Sequence, residues 1–273
     1  MIYILIDTSY WIFYRYYAII QWWKHAKPEE KLETDTDLSI NEEFKDKFKK
    51  TFIESIKLLK KKQKFAKNEE FKIIAACDCS RKDIWRNALY ENYKETRGNF
   101  VGSEFFNIVY ENDNELLKKA GVNHILKHAK MEGDDIIAVT KKMIREKYEN
   151  ANIYIIANDY DYLQLLDDNT KIINFKNKNL LDNKKIFKES DKNLFYKIVL
   201  GDKSDNIKPI FKKCGKKKVG KYYEDRELFE KALKKENVME LFELNKKLIS
   251  FTEIPVDIEK DFIELNKEVL LDL

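Results

Sequence analysis

The sequence predicts an α/β protein: a parallel sheet flanked by helices, followed by a smaller helical subdomain. Three observations carry this. Five short apolar runs of strand length alternate with longer segments, and two of those segments show a helical period. Strand-like runs then stop near Asn193, beyond which only helical patterns remain. Alternating strands and helices are the pattern of a parallel sheet covered on both faces.

In chain order, the first run is Ile2–Ile6, uninterrupted by any polar residue and closed by Asp7. Residues 24–43 are polar and acidic and read as a loop. Ile40, Phe44, Phe48, Phe52, Ile56 and Leu59 then recur every three or four residues, giving one apolar stripe opposite Lys49, Lys50, Lys57, Lys60 and Lys61. The second strand is Lys72–Cys77 and the third Val122–Leu126. A helix runs from about Gly133, marked by Ile136, Ile137, Thr140, Ile144 and Tyr148. Ile153–Ala157 and Lys171–Phe175 complete the sheet. Helices follow at Leu194–Leu200, Asp225–Lys235, Met239–Ser250 and Ile258–Leu270. The expected division is residues 1–200 and residues 201–273.

Composition bounds the class. The chain has 273 residues, 44% apolar and 13% aromatic, enough for a packed core. Lys and Arg number 52 and Asp and Glu 48, so a net charge of +4 conceals a heavily charged chain. No apolar stretch reaches the roughly 18 residues of a membrane span. The start, MIYILIDTSYW, lacks a basic segment and meets Asp7 too early for a secretory signal. Three cysteines, Cys77, Cys79 and Cys214, make no disulfide framework. The expectation is an intracellular, reducing compartment (cytoplasm, nucleus or a viral replication site), with neither secretion nor membrane.

Sites on open parallel sheets form outside the carboxyl ends of the strands. Carboxylates fall there repeatedly. Asp7 ends the first strand and Asp78 the second. Glu132, Asp134 and Asp135 follow the third, Asp159 and Asp161 the fourth, and Asp202 and Asp205 stand at the subdomain boundary. Singly, each reads as a helix cap, a dipole partner or a turn residue. Together on one edge they would repel without a counter-charge. Hard cations with oxygen ligands meet that need, Mg²⁺ being the usual choice. Two cations about 4 Å apart hold the attacking and leaving oxygens of a phosphate ester.

The segments LIDTSYW, CDCSRKDIWRNALYENYKETR, MEGDDIIAV, NDYDYLQLL and GDKSDN, in this order, resemble the successive motifs of the 5′ nucleases. That family comprises flap endonucleases, the nuclease domain of bacterial repair polymerases, and phage-type 5′-3′ exonucleases and ribonucleases H. The motifs span residues 2 to about 206. The resemblance implies a PIN-like nuclease domain with a C-terminal, helix-hairpin-helix-like DNA-binding subdomain. It implies that Asp7, Asp78, Glu132, Asp134 and Asp135 serve a first metal, some through water. Asp159 and Asp161 would lie between the metals, and Asp202 and Asp205 would complete the second site. It also implies two Mg²⁺ ions, with Mn²⁺ able to substitute, and hydrolysis of a phosphodiester near the 5′ end of a DNA strand. Flapped, nicked or branched DNA and RNA–DNA hybrids are the substrates of relatives. Replication, repair and recombination are the settings, with no particular protein partner readable.

Two basic segments suit such a substrate. Arg81, Lys82, Arg86, Lys94 and Arg97 are interleaved with Trp85, Tyr90 and Tyr93. On a helix, Arg86, Tyr90, Tyr93, Lys94 and Arg97 would share one side, cations for the phosphate and aromatics for an unpaired base. The resemblance places Lys94 and Arg97 at the scissile phosphate; Arg86 is grouped with them, and Arg81, Lys82 and Tyr93 are assigned to DNA. The second segment holds Lys203, Lys208, Lys212, Lys213, Lys216, Lys217, Lys218 and Lys221 against one acid, Asp205. Such a run grips a duplex backbone independently of sequence. Here the chain departs from cellular relatives, whose paired glycines hold a phosphate and a monovalent cation. Those glycines are missing, which counts against the monovalent site and leaves lysine side chains as the grip. Phe100, Phe105 and Phe106 lie where relatives build an arch, in a short segment; they either line it or pack in the core.

Two other readings stay open. A PIN-type endoribonuclease acting on single-stranded RNA shares the fold and acids, but Asp202, Asp205 and the helical tail argue against it. A non-catalytic nucleic-acid scaffold would lack some ligands, and none is missing.

Overall fold

The computed structural model describes residues 1–30, 36–66, 68–98 and 100–273. Among them, β1 (Ile2–Asp7), β2 (Phe71–Cys77), β3 (His124–Lys127), β4 (Asn152–Ile156) and β5 (Thr170–Ile173) form one parallel sheet in the order β3-β2-β1-β4-β5. These are the five apolar runs of the sequence. Ile4 pairs with Ile73 on one side and Tyr154 on the other. The strand order reverses direction at β1, so the carboxyl ends of β1 and β4 flank the crevice that this topology opens.

Side chains of a strand alternate between faces, and here the alternate residues feed two cores. Ile4, Ile6, Ile73 and Ala75 pack beneath α1 (Thr8–Ala26), α2 (Glu42–Lys62) and α3 (Glu104–Lys119), the last being two helical pieces joined by a kink at Glu111–Asn114, where Asn112, Asp113 and Asn114 take left-handed φ. Tyr3, Leu5, Ile74 and Ala76 pack on α4 (Gly133–Lys147) and on the end of the chain. The stripe of α2 is buried from Phe44 to Leu59 as expected. Ile40 is not part of it: the Asn41 side chain accepts from the Phe44 amide and starts the helix one residue later, leaving Ile40 in a preceding 3-10 turn and exposed. Tyr148 likewise falls just beyond α4 and is exposed. Of the expected loop at 24–43, α1 takes the first residues, a turn Leu38–Ile40 interrupts it and α2 takes Glu42 and Glu43; residues 31–35 lie outside the described residues.

The segment Arg81–Arg97 is not the helix its spacing suggests. It forms two 3-10 turns, Arg81–Asp83 and Trp85–Ala88, followed by further turns. Ile84, Trp85, Arg86 and Tyr93 are drawn into the interior, and Lys94 adopts a left-handed backbone (φ 57) that no α-helix accommodates.

Beyond the sheet come α5 (Ser190–Leu200), α6 (Lys216–Glu224), α7 (Arg226–Glu236) and α8 (Met239–Ile249). They share a core of Phe195, Val199, Phe211, Phe229 and Leu248, which Ile84 and Tyr93 join. The last expected helix is two, α9 (Val256–Leu265) and α10 (Lys267–Asp272), broken at Asn266. Both return to the sheet, where the Tyr3 hydroxyl donates to the Leu273 carbonyl at 2.7 Å. No described helix is long and apolar enough to cross a membrane.

Candidate active site

The strand ends deliver their acids to one place. A cavity of about 400 Å³ is lined by Asp7, Asp78, Glu132, Asp134, Asp159, Asp161 and Asp205, with Arg81, Lys94 and Arg97 on its walls. Asp7 caps α1, one oxygen accepting from the Tyr10 amide at 2.8 Å and the other from the Tyr162 hydroxyl at 3.0 Å. Asp78 accepts from the Gly133 amide at 2.7 Å and from the Ser9 hydroxyl. A Cβ on Gly133 would sit 3.3 Å from the Ala76 carbonyl and 3.4 Å from Asp78, so glycine lets α4 start against the end of β2. Asp134 opens into the cavity from the first turn of α4, accepting from the Asp135 amide at 2.7 Å.

These three carboxylates receive only uncharged donors, and each holds a proton more readily than an ordinary carboxyl. Withdrawal from water, followed by the neighbouring Asp78, pushes Asp7 up to about 7. Withdrawal from water, followed by Glu132, raises Asp134 well above the ordinary carboxylate range. Asp78 is raised by the same desolvation. Crowded carboxylate oxygens withdrawn from water around one cavity are the donor set of a hard divalent cation. Glu132, Asp134 and Asp135 bring one oxygen each within 4.8 Å of one another, as do Asp161, Asp202 and Asp205, and both groups could hold a metal.

The second group hangs on Gly201. Its φ of +69 and a would-be Cβ 2.5 Å from the Ile207 carbonyl admit glycine alone. The turn it permits closes through the Asp202–Ile207 bridge, which aims Asp202 and Asp205 back at the sheet. Asp202 accepts from the Ser204 amide and hydroxyl at 2.7 and 2.6 Å, and lines a neighbouring cavity of about 500 Å³ together with Asp159.

The cationic residues divide. Lys94 pairs with Glu132 and lies 3.7 Å from Asp205; Arg97, partly exposed, pairs with Asp205. Burial disfavours the Lys94 ammonium, but Glu132 and Asp205 outweigh it and hold the group charged beyond the ordinary lysine range. Arg86 requires a correction. Expected beside a phosphate, it is 1% exposed and absent from the cavity. Its guanidinium donates to both oxygens of Asp135 (2.7 and 2.8 Å), to Glu132 (3.1 Å) and to the Leu248 carbonyl (2.8 Å), and lies over Trp85. Asp135 is fully buried by this pair and by the Trp85 indole N–H at 2.9 Å, so it braces Glu132 from behind and does not face the cavity. Tyr93 is corrected on the same ground: buried, its hydroxyl donates toward Glu132 (3.0 Å) and Asp205 (3.3 Å), leaving no ring face for a base. Trp85 is buried as well.

Arg81 and Lys82 are exposed, as are Lys203, Lys208, Lys212, Lys213, Lys216, Lys217, Lys218 and Lys221. Lys216–Lys218 form the first turn of α6, where their charges add to the positive end of the helix dipole. Of the three phenylalanines, Phe105 is core, while Phe106 lines the cavity beside Tyr10 and Phe13. Phe100 packs edge-on against Phe13, ring centroids 4.6 Å apart. Cys77 is buried in the sheet and Cys79 borders the cavity, its thiol pushed up to about 12 by burial and then Glu132.

Three contributors escaped the sequence reading. Ser9 and Tyr162 hold Asp78 and Asp7, and Lys197 pairs with Asp161 and, at 2.8 Å, with Asp202. Lys197 carries a signal in retrospect: it is the basic residue in the last turn of a largely apolar helix, five residues before Asp202.

Residues 2–191 match the family model of the 5′-3′ exonuclease N-terminal, resolvase-like domain. The chain belongs to the 5′-3′ exonuclease family. A 5′-3′ exonuclease of Mycoplasmopsis pulmonis is 31% identical over 219 residues, 68% of this chain and 69% of that protein. Two solved structures share the fold. The T5 5′-exonuclease with zinc bound has a TM-score of 0.64 at 16% identity, over 98% of this chain and 99% of that one. A bacteriophage T5 flap endonuclease in a pseudo-enzyme–product complex with DNA and metal ions scores 0.60 at 15% identity, over 99% of both chains. The protein is therefore a nuclease of this family, and its acidic cavity occupies the carboxyl edge of the family's sheet.

Proposed function

We propose that this 5′-3′ exonuclease relative hydrolyses phosphodiester bonds near the 5′ ends of flapped, nicked or branched DNA, with two Mg²⁺ ions, and that Mn²⁺ can replace them. One observation carries the reading: six strand-end carboxylates and Asp205 share a cavity with Lys94 and Arg97. Asp7, Asp78, Glu132 and Asp134 would hold one ion, and Asp161, Asp202 and Asp205 the other, with Asp159 between. Bound ions supply charge stabilisation at the phosphate and a more acidic attacking water.

The chain's own groups do the rest. The Tyr10 amide, Tyr162, Ser9 and the Gly133 amide fix the orientations of Asp7 and Asp78, so these two ligands need little rearrangement on binding. Arg86 holds Glu132 and Asp135 from behind. Lys94 and Arg97, paired with Glu132 and Asp205, stand where an incoming phosphate competes for them and gains their charge. Exposed lysines from Lys203 to Lys221 grip the duplex. Residues 1–200 thus carry most of the chemistry and 201–273 most of the grip, with Asp202 and Asp205 at the seam.

The test is a flap substrate labelled at either the 5′ or the 3′ end, assayed with Mg²⁺ and with chelator, beside nicked DNA and an RNA–DNA hybrid. Metal-dependent release of short 5′-labelled products is expected. Cleavage that survives chelation, or is confined to single-stranded RNA, overturns the proposal.

A further inference from the structure

The two acidic groups are balanced in different ways. In the first, Lys94 and Arg86 pair with Glu132; Asp7, Asp78 and Asp134 are met by hydroxyls and amides, and among the described residues no lysine or arginine forms an ion pair with any of these three. In the second, every carboxylate has a cation of the chain upon it: Lys197 on Asp161 and Asp202, Arg97 on Asp205. Lys197 rises from the last turn of α5, and its side chain is only 19% exposed. Its ammonium therefore stands among the same oxygens, all within 4.8 Å of one another, that would grasp a divalent ion.

An ammonium is a compact point charge on a flexible stem. It can neutralise such a cluster, but it cannot share it with a dication at close range, where two positive charges repel strongly. The cavity of about 500 Å³ next to the cluster is bordered by Lys197, Gly201, Lys203 and Ser204, and gives the ammonium somewhere to go.

We propose that Lys197 is a tethered cation that holds the second acidic cluster assembled and must be displaced into the adjacent cavity when a divalent ion binds there. It is a positioning residue, acting through Asp161 and Asp202. The consequence is ordered loading, the first cluster filling at lower metal concentration than the second. This rests on the reading of Asp161, Asp202 and Asp205 as a metal site.

The experiment titrates the full chain with Mn²⁺ and follows free Mn²⁺ by electron paramagnetic resonance, beside thermal melts in chelator and in Mn²⁺. Wild type is expected to show a tighter and a weaker site. Lys197→Met should tighten the weaker site by roughly tenfold or more, as removal of an adjacent like charge does, and leave the tighter one unchanged. In chelator the variant should melt below wild type, and Mn²⁺ should close the gap. Lys197→Gln carries the same expectations should the methionine variant fail to fold. An unchanged or weakened second site in the folded variant overturns the role of Lys197. Asp202→Asn separates that failure from the underlying reading. Loss of the weaker site in Asp202→Asn supports the metal assignment, whereas unaltered Mn²⁺ stoichiometry and affinity overturn both.

Discussion

Replacing Arg86 by methionine separates a brace from a catalyst. The guanidinium makes four hydrogen bonds to Asp135, Glu132 and the Leu248 carbonyl, at 2.7 to 3.1 Å, and is 1% exposed. Methionine fills much of the volume but leaves the fully buried Asp135 without its partner. Breaking a buried pair from one side costs about 3–5 kcal/mol, because the remaining charge keeps its desolvation penalty. At roughly 2–4 °C per kcal/mol for a chain of this size, the melting temperature should fall by about 6–20 °C. Circular dichroism melts and urea titrations read this directly. Arg86→Met with Asp135→Asn removes both charges, so the double variant should recover part of the loss, by about 0.5–3 kcal/mol relative to additivity. A single variant that melts like wild type and yet loses cleavage would refute the reasoning and return Arg86 to the phosphate.

Three further outcomes are expected. Asp161→Asn or Asp205→Asn should lower cleavage by roughly a hundredfold or more while DNA affinity stays near wild type; wild-type turnover by either would remove that residue from the metal site. Neutralising Lys216, Lys217 and Lys218 should flatten the dependence of DNA affinity on salt by about 0.9 in slope for each DNA phosphate these lysines neutralise, and an unchanged slope would leave them merely solvated. Asp7, held at about 7 in the fold against about 3.9 unfolded, binds more protons folded than unfolded between those values, so metal-free stability should decline as pH rises from about 4 to about 7. A divalent ion competes with that proton, so the melting-temperature gain on adding Mg²⁺ should be larger near pH 8 than near pH 5.5, and a gain independent of pH would exclude Asp7 as a ligand.

The sheet was legible because its strands are largely apolar runs, which buried parallel strands require, and because the first four have acids at or beyond their carboxyl ends. The helix boundaries that slipped did so for local reasons: Asn41 caps α2 after Ile40, and Asn266 breaks the final helix. The segment after Asp78 was misread because its basic and aromatic residues do fall at helical spacings, while Ile84, Trp85 and Tyr93 gain more by burial against two different cores than a helix would give them.

By itself, the sequence determined the kind of chemistry: which strands form, that their ends carry carboxylates, and that lysines cluster beside them. Linear patterns of hydrophobicity and charge suffice for that, since they follow from the periods of strand and helix. Only the tertiary structure decided how the charges pair. Arg86 and Arg97 lie eleven residues apart in one basic segment, yet one is sealed against Asp135 and the other stands at the cavity beside Asp205. Lys197 is one lysine among many until folding sets it between Asp161 and Asp202. Net charge sums over the chain, whereas Coulomb energy depends on distance and burial, and these are fixed only when remote segments meet.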